Sequence, residues 1–259
     1  AGLSPWMQKL PGGLIHVNVV GCALFAAISG SSAATVATVG KMSIPELRKR
    51  KYPEKILLGS LAGSGTLGLL IPPSIILIIY GVTVQESIAK LFIAGIIPGI
   101  MIALIFMSYV IIWSLINKKN MPKYVENFSF FEKIKKSKQL LPVIILISAV
   151  IGSIYTGVAT ATEAASLGVV GALILSYFQK SLTIKTFKQS LLGATKTSCM
   201  IAFILAGSTF LSLAMGFTGL PRNLAIWIQN MELSPYVLIF VLMIFYIILG
   251  MFLDGISAV

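Results

Sequence analysis

The amino-acid sequence predicts an all-α, polytopic integral membrane protein, and three observations lead there. Of 259 residues, 57% are hydrophobic and only 11% charged, with a mean hydropathy of +0.95; a soluble core of this length could not bury so much apolar surface. Uncharged runs recur, 26 residues long at Leu91–Ile116 and 18 at Tyr236–Leu253, and about 20 apolar residues cross the hydrocarbon as a helix. The remaining charges gather in basic clusters between such runs. In lipid the backbone must satisfy its own hydrogen bonds, so these runs are helices. The short alternating segments of a β-barrel are missing from the sequence.

A net charge of +12 would suggest nucleic acid in a soluble protein. Here the cations occupy loops, six in 41–55, seven in 118–138 and four in 180–196. That is the distribution of the positive-inside rule, with anionic lipid headgroups as the counterpart. Placing all three clusters in the cytoplasm requires paired crossings between them. The runs 56–80 and 91–116 supply one pair, 140–155 and 164–178 the next. Residues 200–217 then cross to a loop holding only Arg222 and Glu232, and 236–253 re-enter from the far side. Residues 181–195 place lysines between Leu182, Ile184, Phe187, Leu191 and Leu192, and read as a helix along the interface.

Five regions follow. Residues 1–55 form a first re-entrant hairpin and basic loop, and 56–117 a broken helix and the following span. Residues 118–138 are a cytoplasmic linker, and 139–235 hold second-repeat spans with the interfacial helix. Residues 236–259 begin a second hairpin. The chain starts on Ala1 rather than methionine and stops inside an apolar stretch, so it reads as part of a longer protein. The Asn127-Phe128-Ser129 sequon falls in the linker and receives no role. Cys22, Cys199 and His16 have no zinc-ligand or disulfide spacing and read as packing residues.

Three places interrupt the apolar runs. Ile28-Ser29-Gly30-Ser31-Ser32-Ala33-Ala34 lies mid-way along the uncharged stretch 14–39. That stretch is long enough for one tilted span, and also sized for two half-helices that enter and leave on one side. Gly30 relaxes the backbone and the serines supply polar groups at a tip, which favours the re-entrant form over small residues that merely let helices pack. In Gly63-Ser64-Gly65-Thr66-Leu67-Gly68-Leu69-Leu70-Ile71-Pro72-Pro73-Ser74, consecutive prolines remove two amide donors and stop the helix. Its glycines spell G-x-G-x-x-G, yet the βαβ context of a dinucleotide loop is missing. An unwound membrane segment fits better, its carbonyls and the Ser64 and Thr66 hydroxyls being hard oxygen ligands for an alkali cation.

The third break, Gly250–Val259, sets Asp254 directly after 18 uncharged residues. A carboxylate there is costly unless it faces protein, water or a cation; if the run simply spans, Asp254 sits at the opposite interface, on the cytoplasmic side, and costs little. The first and third breaks align without gaps, Gly30 with Gly255, Ser32 with Ser257 and Ala33 with Ala258. One is approached from the cytoplasmic side and the other from the far side, as in an inverted-repeat transporter with its site between the two. Elsewhere, Thr160 or Thr162 can cap a helix starting near Glu163, with cation binding or proton relay as the alternative. Serines abound, but the only histidine gives them no evident base, so the reading is not an enzyme and no cofactor is expected.

Five stretches in order, GGLIHVNVVGCALFAAISGSSAATVATVG (Gly12–Gly40), IPPSIILIIYG (Ile71–Gly81), LFIAGIIPGI (Leu91–Ile100), TGVATATEAA (Thr156–Ala165) and GMFLDGISAV (Gly250–Val259), resemble the large membrane subunit of the tripartite ATP-independent periplasmic (TRAP) transporters, the DctM or SiaM type. The resemblance implies an elevator-type secondary transporter of the bacterial inner membrane, driven by sodium (Na+) as coupling ion. It also implies a small four-helix membrane subunit of the DctQ or SiaQ type and a periplasmic substrate-binding protein that delivers an organic acid. Carried over, Ser29, Gly30, Ser31 and Ser32 at the first tip, with Gly65 and Thr66 at the broken helix, would hold sodium. Pro72, Pro73 and Ser74, with Asp254, Gly255 and Ser257 of the second hairpin, would meet the substrate. Two departures stand out: Ala161 occupies the proline position of a T-P-T-E-A pattern, and Gly255 stands where the family often has proline. Rival readings are a dicarboxylate–sodium symporter that needs no binding protein, an ion channel and a structural membrane subunit. The substrate stays open among sialic acid, C4-dicarboxylates and other sugar or keto acids.

Overall fold

A computed structural model describes residues 2–122, 129–253 and 255, and every regular element among them is helical. Five helical stretches among the described residues are long and apolar enough to cross a bilayer: 54–83, 88–116, 161–178, 184–218 and 235–252. The chain is therefore an all-α, polytopic membrane protein, as its composition requires. It divides into two units, Ala1–Ser176 and Tyr177–Val259.

In the first unit, a short helix α1 (Ser4–Met7) leads through Gly12 and Gly13, both at positive φ, into α2 (His16–Ser29). The chain turns at Gly30 and returns as α3 (Ser32–Lys49). These arms are antiparallel: Val39 Cγ1 lies 3.6 Å from where a Cβ on Gly21 would sit, and both residues are nine positions from the turn. The uncharged stretch is thus a hairpin and not one tilted span. At its open end the Tyr52 hydroxyl accepts from the Leu14 amide at 3.1 Å, and Arg48 pairs with Glu54 at 2.8 Å.

Helix α4 (Glu54–Gly65) rises beside the hairpin and is followed by α5 (Leu67–Leu70), α6 (Ile75–Thr83) and the long α7 (Ile88–Ile116). Three buried layers run toward the tip. Leu14, Ile15, Leu47, Tyr52, Ile56, Leu57 and Val110 form the basal one; Cys22, Val39 and Leu61 form the second, and Val19, Ala26 and Leu67 the third. Beyond α8 (Phe130–Ser137), α9 (Leu141–Tyr155) and α10 (Ala161–Phe178) pack on α7 through Phe92, Ile154 and Ala164. At 140–155, where a crossing is expected, the structure has α9, whose 15 residues reach about 22 Å, short of roughly 30 Å of hydrocarbon, so it is not one of the five stretches long enough to cross. Thr160 caps α10: the Glu163 carboxylate accepts from its amide and its hydroxyl, both at 2.8 Å, while Thr162 lies inside the helix.

The second unit holds α11 (Ile184–Thr218), α12 (Leu220–Gln229) and α13 (Pro235–Phe252). The amphipathic stretch expected along the interface is not a separate element but the opening turns of α11. No proline interrupts Ile184–Thr218, so one helix of 35 residues forms, about 52 Å long against roughly 30 Å of hydrocarbon. Gly219 ends it at φ +71. Cys22 is buried as a packing residue should be, whereas Cys199 on α11 is exposed.

Candidate functional site: a serine tip in a glycine socket

The hairpin tip is shaped by its own polar groups. Gly30 closes α2 in the left-handed region at φ +58, its amide donating to the Ala26 carbonyl at 2.9 Å, a position that suits glycine. Ser31 is extended and caps α3, its hydroxyl accepting from the Ala34 amide at 3.5 Å. The Ser31 carbonyl accepts from the Thr35 amide at 3.0 Å, the Thr35 hydroxyl at 2.7 Å and the Ser29 hydroxyl at 3.2 Å. Ser29 Oγ and Thr35 Oγ1 are themselves 2.8 Å apart. Thr35 is fully buried, and Ser32 is the half-buried first residue of α3. The negative end of one half-helix and the positive end of the other therefore converge at a single point.

Opposite the tip, the span 54–83 is interrupted. The Thr66 hydroxyl donates to the Gly63 carbonyl at 2.7 Å, α5 makes a single turn, and Pro72 and Pro73 are joined by a cis peptide bond. In a continuous helix the amides of residues 72 and 73 would serve the carbonyls of Gly68 and Leu69. The Ser74 hydroxyl replaces one of them by donating to the Leu69 carbonyl, and Ser74 is fully buried. Ser74 then opens α6 from an extended conformation.

Tip and break fit together because the break lacks side chains where they meet. The Ile75 amide donates to the Gly30 carbonyl at 3.4 Å. A Cβ on Gly30 would lie 3.0 Å from the Pro73 carbonyl oxygen, and one on Gly68 only 2.9 Å from the Ser31 carbonyl and 3.0 Å from Thr35 Oγ1. At Gly65 a Cβ would collide with Val36 Cγ2 and stand 3.7 Å from the Ser32 carbonyl oxygen. Two glycines of the G-x-G-x-x-G run are thus a socket for the hairpin. Behind the socket, α7 offers Gly95, whose Cβ would meet the Leu70 carbonyl at 2.9 Å, and Gly99, whose Cβ would meet Ile71 at 2.9 Å.

Of the residues singled out in the sequence, the structure gathers Ser29, Gly30, Ser31, Ser32, Gly65, Pro73 and Ser74 in one region. Pro72 is buried on the side toward Gly95, and Thr66 is exposed with its proton given to its own helix. Gly255 lies in a turn after α13; Asp254 and Ser257 lie outside the described residues. Two polar residues escaped the sequence reading. Thr35 follows Ser31 by four, the spacing of facing positions on a helix. Asn18, fully buried, donates to the Leu57 carbonyl at 3.3 Å and the Ser60 hydroxyl at 3.1 Å, and a lone amide inside an uncharged run was the available signal.

Residues 7–259 match the family described as tripartite ATP-independent periplasmic transporter, DctM component. The chain belongs to the DctM family. It is 34% identical over 244 residues to the C4-dicarboxylate TRAP transporter large permease protein DctM of Pseudomonas aeruginosa, covering 94% of this chain and 56% of that protein. Similarity to the sialic acid TRAP transporter large permease protein SiaM of Vibrio cholerae is 32% over 251 residues, 96% of this chain and 58% of the relative. The isethionate TRAP transporter permease protein DctMQ of Oleidesulfovibrio alaskensis is 31% identical over 257 residues, 98% and 40% respectively. This DctM chain thus spans a little over half the length of the DctM and SiaM relatives. Its socketed serine tip lies wholly within the matched residues.

Proposed function

We propose that this DctM chain is the substrate- and ion-handling part of a large TRAP permease that couples sodium to the uptake of an organic acid across the bacterial inner membrane. The observation that carries the reading is the docking of the serine tip on a proline-broken span. It places half-helix ends, hydroxyls and a Gly68 carbonyl deprived of its helical donor in one buried region. Hydroxyl and carbonyl oxygens are ligands suited to an alkali cation. The amides at a half-helix start favour a carboxylate. No covalent step is needed, since sodium and the acid bind, a hairpin-bearing body moves them as an elevator, and both are released inside.

The named relatives support an anionic cargo, because C4-dicarboxylates, sialic acid and isethionate all carry an acidic group. A small membrane subunit and a periplasmic binding protein complete the proposed machine. The test reconstitutes the full-length permease with both partners in proteoliposomes and follows uptake of labelled organic acids. Uptake is expected to require an inward sodium gradient and the binding protein. Transport that persists unchanged without sodium overturns the coupling, and saturable uptake without the binding protein identifies a self-sufficient symporter instead.

A further inference from the structure

We propose that Thr35 is a positioning residue: its buried hydroxyl sets the orientation of the Ser29 and Ser31 oxygens at the tip, without itself touching the ion. The inference rests on the reading of this tip as a sodium site. A cation binds oxygen lone pairs, so a hydroxyl that serves as its ligand must send its proton elsewhere. Ser29 has two acceptors for that proton, Thr35 Oγ1 at 2.8 Å and the Ser31 carbonyl at 3.2 Å. Thr35 in turn donates to the same carbonyl at 2.7 Å.

With the Thr35 amide added at 3.0 Å, the Ser31 carbonyl is saturated and turned inward. It is therefore withdrawn from the ligand set, which leaves the tip hydroxyls and the Gly30 carbonyl. Gly68 holds the arrangement shut, because Thr35 Oγ1 lies 3.0 Å from its missing Cβ and Thr35 is 0% exposed. Without the hydroxyl, the Ser29 proton loses one acceptor and the Ser31 carbonyl loses its shortest donor. Ser29 then keeps only its longer contacts to Ser31, donating to the carbonyl at 3.2 Å and accepting from the amide at 3.4 Å, so its oxygen is less firmly directed.

The full-length permease with its partners, carrying Thr35→Val or Thr35→Ser, tests this by the sodium concentration for half-maximal uptake and by sodium-induced thermal stabilisation of the purified protein. Thr35→Val keeps the shape and removes the hydroxyl. It is expected to raise the sodium requirement about tenfold, in keeping with the loss of one buried hydrogen-bonded partner, with a smaller change in the KM for the acid. Thr35→Ser restores wild-type sodium dependence. An unshifted sodium requirement in Thr35→Val overturns the proposal, and so does a loss of stability that is equal with and without sodium.

If Thr35→Val does not reach the membrane, Thr35→Ser and Thr35→Cys, which differ only in oxygen against sulfur, decide the matter. Equal sodium requirements in that pair also overturn it. A wild-type protein with no response to sodium in either assay sinks the sodium reading and this inference together. A responsive wild type beside an unshifted Thr35→Val sinks the inference alone.

Discussion

The first hairpin and helix α13 start from similar sequence and end in different surroundings. Both are uncharged runs leading to a Gly-x-Ser-Ala motif, at Gly30 and at Gly255. On α2, Val19, Cys22 and Ala26 are fully buried, whereas on α13 Tyr236 and Phe252 are 86% and 82% exposed. Side-chain size differs in the same sense. Gly21, Cys22, Ala23, Ala26 and Ala27 let neighbouring backbones close on α2. Helix α13 offers Val, Leu, Ile, Phe and Met with a single glycine, Gly250, a surface suited to lipid. The tip at Gly30 is pinned by small residues along its arm and by glycines in the partner that receives it.

The contrast can be broken or sharpened by substitution. Gly68→Val drives a branched side chain into the Ser31 backbone, and is expected to abolish uptake and lower stability by about 3 kcal/mol, read by thermal unfolding of purified full-length permease. Asn18→Leu removes the donor to Leu57 and Ser60, with an expected loss of about 2 kcal/mol in the same measurement. Gly30→Ala combines a left-handed backbone with the close Pro73 carbonyl. A loss of about 1 kcal/mol should accompany slowed uptake.

The smallest effect belongs to Gly250→Ala. A Cβ there meets nothing within 4 Å, so stability should stay within about 0.5 kcal/mol of wild type. Damage from Gly250→Ala equal to that from Gly30→Ala would erase the difference between the two regions, and show that α13 is tightly packed in the whole permease.

Much of the site was legible because its markers are covalent. Pro72 and Pro73 lack amide protons wherever they stand, and Gly30 lacks a Cβ in any fold, so the two interruptions could be read directly from the chain. Other features were not legible. A stretch of uncharged residues at 14–39 satisfies a tilted span and a hairpin equally well, and only the pairing of Gly21 with Val39 decides between them. The G-x-G-x-x-G run could be denied a nucleotide, but its use as a socket depends on which residues arrive opposite Gly65 and Gly68. Thr35 was hidden among small and hydroxylated neighbours, and its importance lies in where its proton points. Residues 181–195 have an amphipathic pattern, yet continuity with the helix that follows outweighs it.

Composition and chain-local chemistry alone settled that this protein lives in a membrane, that it is helical, and where its helices must break, since transfer into lipid and the loss of an amide or a Cβ depend on nothing distant. Which break meets which was decided only by the tertiary structure. The tip at Gly30 can be held only where a partner far along the chain, from Gly65 to Ser74, leaves room for its backbone, and that fit is a property of the folded path.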